Sequence, residues 1–401
     1  MRNRLKIAIY SGEIPSTTFV ERLIVGLAQE GHSILLFGKR KKKIAYNNGC
    51  VYQVSFKESK LSKLLFLAKY TFLLFFFRKR DKKELDAFIL AHFKNQRVAK
   101  IKCYPVLWHK PDVFHVQWAK SVADWVWVQR FGIKLVVSLR GAHINYSPVT
   151  EIGLAAHYRL YFPKVDGFHA VSKAIAKEAV KYGATPANIK VVYSGFPLSK
   201  TLPTFESTSA SSKILLLSVG RSHWKKGYNY ALDACSFLKS QGVAFHYTII
   251  GAKGVEELEY QKNDLGLADC VTFIDKVPYA TVLQMMHEAH VVLLPSVEEG
   301  IANVVLEAMM LRKIVLTTDC GGMEEIVQDG TNGFVMPIRN PQVMSEKIIA
   351  ISTLNEEENQ SITSNARNTI ETMNSEEKMV TDMIALYNFV LKTPTDAFTS
   401  K

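Results

Sequence analysis

The chain has 401 residues, of which 48% are hydrophobic, and this is enough for two globular domains with separate cores. Residues 1–200 contain 34 lysines and arginines against 12 acidic residues, a net charge of +22, whereas residues 201–401 contain 16 against 25, a net charge of −9, so the first half is expected to face an anionic surface or polymer. The five cysteines are dispersed without any CxxC pair, which argues against a disulfide framework or a zinc site and indicates a reducing compartment.

The first predicted elements are a strand, a helix and a second strand. Residues 6–11 are apolar and β-rich, a loop containing Gly12 and Pro15 follows, and a helix extends to about residue 30. The sequence HSILLFG predicts the second strand. The apolar run at the start is too short for a signal peptide, so we expect a cytoplasmic protein.

An apolar and basic segment follows a run of basic residues at 39–43. Its apolar part, Leu64–Phe77, has 14 residues and is interrupted by Lys69, whereas a membrane span needs about 20. One interpretation is a helix that lies in the interface of an anionic membrane leaflet, and the other is a buried core helix with solvated ends. The flanking cations are Lys57, Lys60, Lys63, Arg78, Lys79, Arg80, Lys82 and Lys83.

Three more strands are predicted in the first half. One ends near His115, one begins at Lys134, and one covers residues 167–171, with Ser172 as a candidate N-cap of a helix that Gly183 closes. His115 is interpreted as a structural histidine. In SVADWVWVQRF the two tryptophans, Trp125 and Trp127, are expected to pack a helix, with an acceptor groove as the alternative.

The second half alternates strands and helices. Residues 198–212 are rich in Ser and Thr and are interpreted as an interdomain linker. The alternation from residue 213 to 375 predicts a parallel, doubly wound sheet. A last helix is predicted at 376–392, followed by a frayed tail to residue 401.

Two basic residues follow the first strand of this second sheet. The strand KILLLSVG ends just before Arg221 and Lys226 in the sequence SVGRSHWKKG. The arginine offers a planar fork and the lysine a point charge, a pair suited to neutralising a diphosphate.

Two carboxylates mark a later strand, loop and helix. The run Val291–Leu294 is typical of a buried parallel strand, Glu299 lies in the following loop, and Asn303 is the predicted N-cap of a helix that carries Glu307. A carboxylate can accept hydrogen bonds from two neighbouring hydroxyls at once, which suits a ribose or hexose diol. The alternative is that both are solvated carboxylates stabilised by the helix dipole.

Together these stretches resemble the retaining glycosyltransferases of the GT-B type, family 4. The matching residues are Gly220, Arg221, Lys226 and Gly227, then Glu299 and Glu307, followed by GGMEEIVQDGTNGFV. The resemblance implies an α/β fold with two Rossmann-like, doubly wound domains that face each other across a cleft. Residues 1–197 would form the acceptor-side domain, residues 213–375 the donor-binding domain, and residues 376–401 a helix returning towards the first domain and the tail.

The resemblance also implies transfer of a sugar from a nucleotide-diphosphate donor to an acceptor hydroxyl with retained configuration. Arg221 and Lys226 would stabilise the leaving diphosphate, Glu299 would orient the donor sugar, and Glu307 would hold the ribose. The chain has no Asp-x-Asp pair, so we expect no metal, and we expect no cofactor besides the donor substrate. The remaining predicted donor-site residues of the second half are Gly300, Ile301, Ala302, Asn303 and Val304.

In the first half, the resemblance points to Gly12, Arg140 and His143. Gly12 occupies the position of a glycine-rich loop that contacts donor phosphates in many family members. Arg140 would contact the donor, and His143 would accept a proton or donate to the donor sugar. A packed or solvent-facing loop histidine is the alternative for His143.

The expected partners are a nucleotide sugar, a glycan or lipid-linked acceptor, and an anionic membrane surface. This fits a peripheral protein on the inner face of the cell membrane that acts in cell-surface polysaccharide or lipid-linked glycan synthesis. The sequence shows no nucleic-acid-binding motif. Two other functions remain open, a nucleotide-sugar hydrolase or epimerase on the same fold and a non-catalytic polyanion binder.

Overall fold

A computed structural model describes residues 4–196 and 212–393 of the chain. The predicted linker at 198–212 and the tail after residue 392 fall outside these ranges, apart from Ser212 and Thr393. The strands are β1 (Lys6–Ile14), β2 (Ser33–Arg40), β3 (Val51–Phe56), β4 (Val113–Val116), β5 (Lys134–Leu139), β6 (Gly167–Ala170), β7 (Ile189–Val191), β8 (Ile214–Val219), β9 (Phe245–Ile250), β10 (Val271–Ile274), β11 (Val291–Leu294), β12 (Ile314–Thr318) and β13 (Phe334–Met336).

Helices connect these strands. They are α1 (Thr18–Gln29), α2 (Lys60–Phe77), α3 (Lys79–His92), α4 (Gln96–His109), α5 (Ala142–Asn145), α6 (Ser147–Thr150), α7 (Leu154–Tyr161), α8 (Lys173–Val180), α9 (Tyr228–Ser240), α10 (Glu256–Asp264), α11 (Tyr279–Glu288), α12 (Asn303–Met310), α13 (Pro341–Ser352), α14 (Glu356–Met373) and α15 (Glu376–Lys392).

The chain forms two compact units, each built on one parallel sheet. The first unit contains the described residues up to Val171, Ile175–Gly195 and those from Glu376 onward, and the second contains Ser172–Ala174 and Phe196–Ser375. The strand orders are β3-β2-β1-β4-β5-β6-β7 and β10-β9-β8-β11-β12-β13. In each sheet the strand that comes first in the chain, β1 or β8, lies in the interior. The next two strands extend the sheet on one side of it and the later strands on the other side, which is the doubly wound arrangement. The predicted α/β class with two Rossmann-like domains is therefore confirmed.

Strand β1 is longer than the sequence predicts. It continues to Ile14 rather than ending at residue 11, because it keeps pairing with β2 after a register shift between Tyr10 and Gly12. Gly12 pairs with Gly38, where an added Cβ would lie 2.9 Å from the Gly12 carbonyl oxygen. The predicted loop at Gly12 is thus wrong, since the residue lies inside a strand.

Apolar clusters cover both faces of the first sheet. On one face, α1 packs beside α15, whose buried residues include Met383, Tyr387 and Val390. The methyl groups of Val380 and Val390 occupy the space that side chains at Gly26 and Gly167 would need. On the other face, Trp125 and Trp127 are fully buried with α2 and α4. Trp125 lies between two short 3-10 helices, and Trp127 lies within the second one, Val126–Phe131.

Helix α2 packs one side against the core, where Phe66, Leu67 and Leu73 are partly buried, and leaves its other side exposed. Of its 18 residues only Tyr70 and Leu74 are buried, and Phe77 is 70% exposed. This contradicts the alternative of a buried core helix. No helix in residues 4–196 and 212–393 combines the length and the apolar content that a membrane crossing requires. The exposed apolar residues of α2 are Leu61, Leu64, Leu65, Phe72, Phe75, Phe76 and Phe77.

The second unit follows the predicted pattern closely. Strand β11 is buried at all four positions and lies between β8 and β12. The predicted N-cap of the next helix is wrong, because Ala302 holds the extended N-cap conformation and Asn303 is already the first helical residue. The helix ends at Met310, and Arg312, two residues later, has a left-handed backbone.

Candidate functional site

The loop after β8 is held against its own strand. The Tyr228 hydroxyl donates a 3.0 Å hydrogen bond to the carbonyl oxygen of Gly220. A Cβ at Gly220 would lie 3.0 Å from this hydroxyl oxygen and 3.2 Å from Cε of Lys226. The absence of a side chain at Gly220 therefore allows the Lys226 side chain to lie close over the end of the strand.

The loops after β8 and β11 are in direct contact. Gly227 has a left-handed φ of +65°, and a Cβ there would lie 2.0 Å from the carbonyl oxygen of Pro295. The Val297 amide donates a 2.7 Å hydrogen bond to the carbonyl of Lys225. Only glycine satisfies both the backbone angle and this close approach, so the lysine-glycine pair fixes the position of one loop against the other.

This contact brings Lys226 and Glu299 together. The Lys226 ammonium lies 2.6 Å from Oε1 of Glu299, and their side chains are 15% and 12% exposed. A third loop supports the pair, since Gly321, at φ +59°, packs so tightly that a Cβ would lie 1.7 Å from the Glu299 carbonyl oxygen. Glu299 is therefore not a solvated helix-start carboxylate, and its charge is balanced by the lysine.

Glu307 lies on α12 and has an aromatic neighbour. The hydroxyl of Tyr279 donates a 3.3 Å hydrogen bond to its Oε1 atom. Tyr279 is the first residue of α11, and its side chain is half exposed. The sequence motifs did not identify this tyrosine. Its position directly after the loop at the carboxyl end of β10 is the signal that indicates it, because ligands of open α/β sheets bind at that edge.

Arg221 is exposed and, within the described parts of the chain, makes no hydrogen bond or ion pair. It lies directly after Gly220, on the same loop as Lys226. Gly300, Ile301 and Ala302 connect Glu299 to α12, and the carbonyl of Gly300 accepts a 2.8 Å hydrogen bond from Gly322. Asn303 is exposed and Val304 half-buried in the first turn of that helix.

In the first unit, Arg140 follows β5. Its Nη2 donates a 3.1 Å hydrogen bond to Oε1 of the buried Gln117, and its guanidinium lies 4.3 Å from the ring centroid of Phe19. Burial lowers the pKa of Arg140 to about 9. A cation in such a desolvated position interacts strongly with any anion that reaches it.

His143 lies in the short helix α5 and is half-buried against Trp118, with ring centroids 5.4 Å apart. Burial, followed by the nearby charge of Lys120, lowers the pKa of His143. Its Nδ1 is buried and has no hydrogen-bond partner among the described residues. A neutral ring with an unused nitrogen can accept or donate a hydrogen bond to a ligand.

His115 belongs to a separate, fully buried network. Its Nδ1 and Nε2 lie 2.8 Å from the hydroxyls of Tyr387 and Ser138, and Ser138 lies 2.8 Å from Nδ1 of His169. Both ring nitrogens are therefore used within the protein, which agrees with the prediction of a structural histidine. The network joins α15 to the middle of the first sheet.

Metal-binding geometry is also absent from the described residues, since no group of three or more His, Cys, Asp or Glu side chains is arranged to hold an ion. Among the residues predicted for the donor site in the second unit, the charged ones are Arg221, Lys226, Glu299 and Glu307.

Two family profiles match adjoining halves of the chain. The profile described as Glycosyltransferase Family 4 matches residues 16–200, and the profile described as Glycosyl transferases group 1 matches residues 201–369. The second profile covers all the residues placed in the second-unit site above. Each half of the predicted resemblance is thus supported by a separate match.

Individual proteins agree with these profiles. A protein named as a colanic acid biosynthesis glycosyltransferase, WcaL, of Escherichia coli strain K12 is 30% identical over 272 residues, which cover 65% of this chain and 66% of that protein. The amylovoran biosynthesis glycosyltransferase AmsK of Erwinia amylovora is 32% identical over 226 residues, 55% of each chain. The chain therefore matches less than two thirds of the length of either relative.

The fold is shared with solved structures. The crystal structure of Anabaena Alr3699/HepE in complex with UDP-glucose has a TM-score of 0.69 and 18% sequence identity, and it covers 96% of this chain and 100% of that one. The glycosyltransferase from Rickettsia africae ESF-5 also has a TM-score of 0.69, with 14% identity and coverage of 98% and 100%. Because family profiles match both halves and the fold agrees, the chain belongs to the glycosyltransferases of family 4, group 1 type.

Proposed function

We propose that this protein transfers a sugar from a nucleotide-diphosphate donor to an acceptor hydroxyl with retention of configuration. The observation that carries the proposal is the contact between the loops after β8 and β11, which sets Lys226 2.6 Å from Glu299 at the carboxyl edge of the second sheet. At that position the cation would bind the diphosphate of such a donor, and the carboxylate would bind the hydroxyls of its sugar.

The leaving group determines the role of the cations. Breaking the glycosidic bond leaves negative charge on the diphosphate, and fixed cations stabilise that charge without rearranging during the reaction. Lys226 is already immobilised by Glu299, whereas the exposed Arg221 is free to close on a phosphate. These two side chains would take the part that a divalent ion takes in other enzymes.

The carboxylates would position hydroxyls. Glu299, with one oxygen on Lys226, retains acceptor capacity for hydroxyls of the donor sugar. Glu307, beside the Tyr279 hydroxyl, would accept from the ribose diol. In the first unit, Arg140 would bind an anionic group of the substrates, and the neutral His143 would exchange a hydrogen bond with the transferred sugar.

The proposal is tested by the products. Nucleotide sugars are first screened by thermal shift, because a specific donor stabilises the folded protein by mass action. The stabilising donor is then incubated with candidate acceptors, and NMR of the product gives its anomeric configuration. Sugar released only to water supports the hydrolase alternative, and an inverted product contradicts retention.

We further propose that the protein works as a peripheral protein on the inner, cytoplasmic face of the cell membrane, where it extends a glycan or a lipid-linked acceptor for cell-surface polysaccharide. The named functions of the colanic acid and amylovoran relatives support this setting. The structural support is the face of α2 that carries Phe72, Phe75 and Phe76, all at least half exposed. Soluble proteins rarely leave such contiguous apolar surface without a partner.

The charges around α2 complement an anionic lipid surface. The Lys79 ammonium lies 5.8 Å from the ring centroid of Phe75, so a cation and an exposed aromatic residue face the same region. Arg80 and Lys83 are exposed on the following helix. Near an anionic leaflet each such cation contributes about 1 kcal/mol, while the phenylalanine rings enter the interface.

Flotation with liposomes tests this binding. We expect binding that requires anionic lipid and weakens at high salt. The double variant Phe75→Ser, Phe76→Ser should lose it, whereas Leu160→Ser, which removes another exposed apolar residue of the first unit, should not. A protein that remains in solution with every liposome contradicts the proposal.

A further inference from the structure

The first unit contains an apolar cavity at the carboxyl ends of β1, β2 and β3. Its volume is about 260 Å³, and α2 and α4 form its outer wall. The apolar wall is formed by Phe37, Phe56, Phe66, Ile101, Pro105 and Trp125. Ligands of open α/β sheets bind at this edge, and none of the residues proposed above for the sugar donor lines the cavity apart from Gly12.

The cavity is too large to be a packing defect. Voids in protein cores are rarely larger than a water molecule, which takes up roughly 30 Å³ in the liquid. The volume of about 260 Å³ is several times larger and lies just below the range of small-molecule pockets, which begins at roughly 300 Å³. The cavity also reaches the surface, because Val98, which lines it, is 47% exposed. A molecule can therefore enter from solution.

Its charged lining is mostly cationic. Lys39, Lys63 and Lys102 line the cavity together with a single carboxylate, that of Glu58. Lys39 forms an ion pair with Glu58, and Lys102 lies 3.7 Å from Asp124. Lys63 also lies near Glu58, where its charge helps Lys39 to lower the pKa of that carboxyl. An apolar chamber with ammonium groups in its lining suits an apolar chain that ends in a phosphate.

We propose that this cavity binds the phosphate-proximal part of the hydrocarbon chain of a lipid-phosphate acceptor, with Lys63 and its neighbouring lysines on the phosphate. The inference rests on the proposed transfer to a lipid-linked acceptor, and it adds the place where that lipid is held. Continuity with α2 supports it, because Lys63 and Phe66 line the cavity while Leu64 and Leu65, between them in sequence, are exposed. The exposed apolar side of α2 and the cavity therefore adjoin each other on the same helix.

Direct binding of geranyl phosphate, measured by calorimetry, tests the site without any turnover. We expect geranyl phosphate to bind at least about tenfold more tightly than geraniol or inorganic phosphate, because only the first ligand uses both the apolar wall and the lysines. If inorganic phosphate binds as tightly as geranyl phosphate, the site is one for free phosphate. If geraniol binds as tightly as geranyl phosphate, the lysines do not contribute to binding. Either result overturns the proposal.

Two variant pairs locate the binding. Val98→Trp places a large side chain at the opening, and Val180→Trp is its control, because that valine is also helical and 41% exposed but does not line the cavity. Lys63→Glu reverses the charge of one lining lysine, and Lys60→Glu is its control on the same helix, outside the cavity. Val98→Trp and Lys63→Glu should each weaken geranyl phosphate binding about tenfold or more at an unchanged melting temperature. Unchanged affinity in both contradicts the assignment.

The donor gives an independent readout. Thermal stabilisation by the nucleotide sugar depends on the second unit and should persist in all four variants. Stabilisation by the donor without any geranyl phosphate binding would overturn the cavity assignment alone. Geranyl phosphate binding without stabilisation by any nucleotide sugar would instead overturn the proposed function.

Discussion

The replacement Lys226→Ala should reduce turnover strongly. Its effect on catalysis can be measured separately from its effect on folding stability. The ammonium lies 2.6 Å from Glu299, and both side chains are at least 85% shielded from water. Loss of a fixed cation that stabilises developing negative charge removes about 3 kcal/mol from the transition state. Since each 1.36 kcal/mol corresponds to a tenfold change in rate, we expect a decrease of about a hundredfold or more.

The same replacement also removes an ion pair. Leaving the shielded Glu299 carboxylate without this partner should cost about 2 kcal/mol of folding free energy. In the double variant Lys226→Ala, Glu299→Gln the carboxylate charge is gone as well, so most of that stability should return while turnover stays low. Urea unfolding and initial rates at saturating donor measure the two quantities.

Lys225→Ala is the matched control, because Lys225 is adjacent and half-buried but its side chain forms no ion pair in the described residues. Its turnover should stay within about threefold of the unmodified protein. If the double variant regains turnover together with stability, Lys226 acts only through folding. If Lys226→Ala itself has near-normal turnover, the assignment of the diphosphate site is wrong.

Other variants and conditions give further tests. Arg221→Ala should reduce turnover about a hundredfold with little effect on stability, because the side chain is exposed; a large stability loss would show another role. Glu307→Gln should raise the donor KM by about tenfold or more, and Tyr279→Phe by less, because the tyrosine only supports the carboxylate; the reverse order would contradict the ribose assignment. Activity should survive EDTA, because Arg221 and Lys226 neutralise the diphosphate, and complete loss restored by magnesium or manganese would contradict this. Burial lowers the pKa of His109 to about 4 and of His169 to about 3. The unfolded chain binds protons at these histidines near pH 6.5 and the folded chain does not, so the free energy of unfolding should fall as the pH decreases from about 6.5 to about 4, by up to roughly 1.4 kcal/mol per pH unit for each histidine. A urea midpoint that does not change between about pH 7 and about pH 5 would contradict the assignment.

The regular elements could be predicted from the sequence because their signals are local. The apolar run Val291–Leu294 followed by Pro295 gives β11 with correct ends. The prediction from local residue type was wrong at Asn303. This residue is a good N-cap by type, but the backbone of Ala302 takes the N-cap conformation. The prediction was also wrong at Gly12, because hydrogen bonds to β2, distant in sequence, extend the strand.

The candidate site depended on contacts that residue spacing does not reveal. Lys226 and Glu299 are 73 residues apart, and their ion pair results from the packing of Gly227 against Pro295. Tyr279 carried no motif, and only the position of α11 places its hydroxyl on Glu307. For α2 the sequence allowed two interpretations with the same composition, and side-chain exposure was needed to reject the core helix.

The position of α15 has a consequence for synthesis of the chain on the ribosome. The face of the first sheet that includes Ile7 and Ile9 is completed by Met383, Tyr387 and Val390, which are translated only after the whole second unit. During translation the apolar face of the first unit therefore remains uncovered until α15 has been synthesised, whereas the second unit can already fold. This delay exposes the N-terminal half to aggregation and to chaperone binding. Expression of that half alone should require a separately supplied α15 peptide for solubility.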